Sequence, residues 1–153
     1  MTDGLPGNFE VKLVHAFDVR MNFHKRLIFG THPSYARLGY VSLKDGVIEG
    51  PRLNGRIMEY SGADWSVVRT DGVVETDAHY MFEADDGTLI QVHNRGYIYN
   101  TLPNSPGPPY FRCTPYFRAP VGKHDWLNRT VIVGGGERHT DPDYTVFRYY
   151  SLE

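Results

Sequence analysis

Turn signals punctuate this chain at short intervals, and that spacing limits its fold more than any other feature. Asp71-Gly72 and Asp86-Gly87 each lie between short runs rich in Val, Ile, Tyr and Phe. Asp-Gly between apolar runs marks a hairpin, because the turn needs positive φ and Gly supplies it at no steric cost. Gly50-Pro51-Arg52-Leu53-Asn54-Gly55, Gly62-Ala63-Asp64-Trp65, Tyr110-Phe111-Arg112 and Trp126-Leu127-Asn128-Arg129 add further corners. No stretch carries a clean helical stripe with caps, and the best helical candidate is one turn near Lys123–Leu127. Regularly spaced turns between short strands predict one all-β domain.

Period-2 alternation places the strands. Phe9, Val11, Leu13, His15, Phe17 and Val19 form one long stripe, and further strands are expected near 25–30, 37–44, 46–50, 56–60, 65–70, 73–84, 88–100, 109–118, 129–138 and 144–152. Thr101–Pro109 holds four prolines and is expected as a loop overhanging one end of the domain. Residues 1–8 are expected to be a flexible N-terminus ahead of a single domain spanning 1–153. About ten antiparallel strands must deal with their edges, and closure into a barrel removes them. A barrel of this size can enclose one small ligand.

Composition narrows the function. At 153 residues the chain can bury roughly 68–70% of its unfolded surface, enough for a core without staples. Its net charge of −2 offers no basic excess for a phosphate backbone, which argues against nucleic acid. The first residues carry neither a basic start nor an apolar run, and no run approaches the ~20 residues of a membrane span. With one cysteine and no signal peptide, the expected location is the cytoplasm. Open barrels of this size often pair, so a homodimer is compatible with the sequence.

The chemistry-bearing residues each have a functional and a structural reading. Asp64 is the first candidate for a general acid or base, with Trp65 as an apolar wall that raises its pKa; otherwise Asp64 closes a turn and Trp65 fills the core. Arg52 and Asn54 could grip an oxygen-rich group or simply build a corner. His79 and His93 sit mid-strand among polar neighbours and could shuttle protons. Gln91, His93 and Arg95 share one strand face, with Ile90 and Val92 on the other. Tyr80 could donate to a bound carbonyl, Arg112 could steady an enolate or phenolate, Trp126 could stack on an aromatic ring, and Asn128 could bind substrate or loop backbone. Seven histidines show no H-x-H or H-E-x-x-H spacing, so no metal site is expected, although ligands arriving from separate strands stay open. Cys113 lacks a nucleophile signature, and Gly134-Gly135-Gly136 lacks the residues of a phosphate loop.

Taken in order, these motifs resemble a family of small proteins known as the domain of unknown function thirty-two thirty-seven, over about residues 27–152. The matching positions are Gly50, Pro51, Leu53, Asn54, Gly55, Asp64, Trp65, Asp71, Gly72, Asp86, Gly87, Phe111, Pro115, Phe117, Trp126, Leu127 and Asn128. The resemblance implies a single antiparallel calycin-like (lipocalin-like) β-barrel with no obligate cofactor. Some members resemble accessory proteins of natural-product pathways, which implies cofactor-free cyclisation or isomerisation of a polyketide-like, prenylated aromatic metabolite. The chain departs from the pattern at His79, where Arg is frequent, and at Phe117-Arg118-Ala119, where Phe-Glu-Thr is frequent. The latter bears on any mechanism that needs that acid. Two functions are therefore expected: a cyclase or isomerase using Asp64, His79 and Arg112, or a non-catalytic carrier of a small hydrophobic metabolite.

Overall fold

The computed structural model describes Gly4, residues 9–100 and residues 107–153. Eleven strands form one antiparallel sheet: β1 (Leu13–Phe23), β2 (Leu27–His32), β3 (Tyr35–Glu49), β4 (Gly55–Ile57), β5 (Ala63–Asp64), β6 (Val67–Val68), β7 (Val74–Ala84), β8 (Leu89–Tyr99), β9 (Tyr110–Arg118), β10 (Ile132–His139) and β11 (Tyr144–Leu152). The order β1-β11-β10-β9-β8-β7-β4-β3 returns to β1 through a β1–β3 pairing, which closes the expected barrel. A 3-10 turn at Asp125–Asn128 is the helical turn anticipated near 123–127. Among the described residues, no helix is long and apolar enough to cross a membrane.

Asp-Gly hairpins behave as expected. Gly72 and Gly87 adopt φ of +88° and +85° at the β6–β7 and β7–β8 turns. Two features differ from the sequence reading. The expected strands 37–44 and 46–50 are one strand, β3, whose first half pairs with β2 and whose second half pairs with β1. The first strand begins at Leu13, and a bulge between His15 and Phe17 interrupts its alternation, so Ala16 and Phe17 are both buried. The short strands β4, β5 and β6 pair with successive stretches of β3 on one side and β7 on the other, standing where one long strand would run. The flexible segment expected at 1–8 lies outside the described residues except for Gly4, as do residues 101–106 of the proline-rich loop.

The two ends of the barrel differ. One end is solid. Phe17, Phe82 and Phe117 meet edge-to-face or tilted at 5.9–6.2 Å between centroids. Around them Ile48, Leu53, Ile57, Ile90, Leu127 and Ile132 are buried. Three loops seal this end. The Asp85 N–H donates to the Asn54 carbonyl, and the His124 ring bonds the Asp86 carboxylate at 2.9 Å. Toward the other end the inward residues stop filling the bore, and a cavity opens.

Candidate functional site

Alternation decides what faces this cavity. Along β7, Thr76, Ala78 and Tyr80 point inward; along β8, Asn94 and Ile98 do; and β11 contributes Thr145 and Phe147. These residues, with Met21, Phe23, Phe111 and the Asp64 carboxyl, enclose about 630 Å³. Arg26, Arg138, Thr140 and Pro109 stand at the open end.

Asp64 reaches the cavity because β5 is only two residues long and is held between β3 and β7. Its Oδ1 accepts the Asp77 backbone N–H at 2.8 Å. Burial pushes the Asp64 carboxyl above the usual carboxylate range, against the opposing pull of that hydrogen bond and of Arg26. At the floor of the cavity the Asn94 amide donates to the Tyr149 hydroxyl at 3.0 Å. Among the described residues, Tyr80 Oη and Asn94 Oδ1 are buried without a hydrogen-bond partner. Burial also pushes the Tyr80 and Tyr149 hydroxyls up and the Cys113 thiol up to about 11, so all three remain protonated at neutral pH. Gly134 makes room here: a Cβ on it would come within 2.6 Å of the Tyr149 ring. At the mouth, Arg26 makes a two-bond ion pair with Asp143. Arg138 is partly desolvated beside Arg26, which lowers its pKa.

Of the residues singled out in the sequence, the structure brings only Asp64 and Tyr80 into this cavity. Trp65 follows Asp64 just past the end of β5 and points outward; it is 47% exposed and neither walls the Asp64 pocket nor fills the core. His79 and His93 lie on the outer face, stacked at 3.9 Å and both close to Asp77. Arg95 and Arg112 line a separate groove of about 920 Å³ on the outer face of β8–β11, and the Arg112 guanidinium donates to the Phe111 carbonyl. The remaining four sit at the solid end. Asn54 ties both backbone groups of Gly50, and Asn128 does the same for Ala119. The Arg52 guanidinium stacks 3.6 Å over the Trp126 ring. Sequence reasoning missed Asn94, Thr145, Arg26 and Arg138. Asn94 was within reach, since it continues the apolar face of Ile90 and Val92 as its one polar member.

Comparison with known proteins gives three useful relatives. A UPF0311 protein of Rhodopseudomonas palustris strain TIE-1 is 28% identical over 111 residues, covering 66% of this chain and 72% of that one. A solved β-barrel-like protein of Acinetobacter baumannii superposes with a TM-score of 0.88 at 26% identity, covering 96% of this chain and 99% of that one. A hydroalkoxylation enzyme of Penicillium herquei is 29% identical over 93 residues, covering 61% of this chain and 53% of that one. The family model described as protein of unknown function (DUF3237) matches residues 11–152, so with its closed barrel and one-ended cavity the chain belongs to that family.

Proposed function

We propose that the protein is a cofactor-independent cyclase or isomerase of a hydrophobic aromatic metabolite, working by proton transfer inside the barrel. One observation carries this reading: a largely apolar cavity of about 630 Å³ is lined by a carboxyl group and by two buried polar side chains with unpaired atoms. A prenylated phenol of polyketide type suits such a space. The relationship to a hydroalkoxylation enzyme supports addition of a hydroxyl across an alkene as the reaction.

The step balances without any co-reactant. The Asp64 carboxyl gives its proton to one alkene carbon. The substrate hydroxyl oxygen bonds to the other carbon, and the hydroxyl proton returns to the Asp64 carboxylate. Substrate and product are isomers, and the enzyme ends as it began. Tyr80 Oη and Asn94 Oδ1 supply a donor and an acceptor that fix the polar end of the substrate. Arg26 and Arg138 stabilise negative charge on substrate oxygens near the mouth. The apolar walls hold a flexible side chain folded for attack, which contributes much of the acceleration.

Asp64→Asn separates the roles. With an ortho-prenylated phenol as probe, chiral chromatography with mass detection should show a cyclic product of unchanged mass from the parent protein. The variant should still bind the probe but turn over ~10²–10⁴-fold more slowly. Equal turnover in Asp64→Asn removes the carboxyl from the mechanism. Probe recovered unchanged from a parent protein that binds it would instead favour a carrier.

A further inference from the structure

We infer that Asp77, His79 and His93 form a binding site for a divalent first-row transition-metal ion, zinc foremost, on the outer face of β7 and β8. His79 and His93 are directly opposed in the antiparallel ladder, and Asp77 lies two residues before His79 on the same face. Asp77 Oδ1 is 2.7 Å from His93 Nε2 and 3.5 Å from His79 Nε2. The three ligand atoms all lie within 4.8 Å of one another. Donors that share one zinc ion at ~2.0–2.2 Å sit about 3–3.5 Å apart, and the two imidazole rings, stacked 3.9 Å apart and 16° from parallel, turn out of that stack to aim both nitrogens at one ion.

The donor chemistry selects the ion. Two imidazoles and one carboxylate suit zinc and its neighbours; magnesium and calcium prefer oxygen alone, and no thiolate is present to favour copper(I). Three protein ligands leave a fourth tetrahedral position open to solvent. His93 is half-buried and His79 is exposed, with the Trp65 ring edge-on to His79 at 6.4 Å. The site is distinct from the cavity. Ala78 and Tyr80 point into the barrel between and beyond the ligands, whereas Asp77 and His79 point out. Its existence does not depend on what the cavity binds.

Chelator-treated full-length protein, titrated with zinc chloride by calorimetry and followed by thermal melting, tests the site. The expected result is one ion per chain and a raised melting temperature. Loss of a ligand should cost at least the ~10–100-fold typical of an outer-shell partner, so His79→Asn and His93→Asn should each weaken binding that much or more. His139→Asn removes a second His–carboxylate pair, with Glu137 at 2.8 Å, and should leave binding unchanged. As a variant-free check, one equivalent of zinc should move the imidazole resonances of His79 and His93. Unchanged binding in the His79→Asn/His93→Asn double variant overturns the site. So does the absence of heat and melting shift in the parent, or movement of other histidines instead.

Discussion

Protons inside this barrel answer first to desolvation. The Asp64 carboxyl, the Tyr80 and Tyr149 hydroxyls and the Cys113 thiol are all pushed up chiefly by burial. For Cys113 the consequence is inertness, because the thiolate is the reactive form. Iodoacetamide at pH 8 should label it slowly in the native protein and rapidly after denaturation, as read by mass spectrometry. Rapid native labelling would mean that the barrel wall around Cys113 opens readily. For Asp64 the consequence concerns stability. A carboxyl whose folded pKa is raised binds its proton more tightly when folded, so its ionisation weakens the fold as pH rises through that range. Asp64→Asn keeps an acceptor for the Asp77 N–H and removes the charge. It should therefore melt at or above the parent temperature at neutral pH, which separates lost turnover from lost fold.

At the scale of elements, hairpins and long strands were legible in the sequence. Asp71-Gly72 and Asp86-Gly87 turn where the dipeptides say, and the stripe that sets Gln91, His93 and Arg95 opposite Ile90 and Val92 matches the observed faces of β8. The failures have physical causes. The break expected between strands 37–44 and 46–50 falls inside β3; Gly46 is there because a Cβ would come within 2.4 Å of the Arg20 carbonyl, a packing need invisible along one strand. Trp65 reads as core because it is aromatic, but period 2 sends it outward once Asp64 faces in. Arg52, Asn54 and Asn128 carry both a binding and a corner reading in the sequence, and the structure has Asn54 and Asn128 tying loop backbone while Arg52 stacks on Trp126. The His79–His93–Asp77 cluster escaped because its spacing lies across a strand pair rather than along the chain. The solid end also carries a pH signature. Backbone and side-chain hydrogen bonds from Thr88, followed by His124, hold the Asp86 carboxyl down at about 2. A depressed carboxylate contributes stability above its unfolded value near 3.8, and that contribution fades as pH falls toward about 2. Asp86→Asn should thus lower the melting temperature at pH 6 and narrow the gap to the parent by pH 2, followed by circular dichroism. A constant gap across that range would place the role of Asp86 in turn geometry alone.

For the whole molecule, charge sits where the barrel is open. Arg26 and Arg138 stand together at the mouth, with Asp143 as the counter-charge. Hydrogen bonds to a charged group contribute about 1.5–3 kcal/mol, so Arg138→Ala should weaken a phenolate or carboxylate ligand roughly 10–100-fold by calorimetry. A neutral ligand of the same shape should be little affected, and equal loss for both would indicate a collapsed mouth. The opposite end, packed with Phe17, Phe82 and Phe117, lets nothing through. The bore is thus a cul-de-sac, and traffic in it runs both ways along one lane. Whatever enters goes in end first, has its leading end inspected beside Tyr80 and Asn94, and must back out past the arginines before the next molecule can follow.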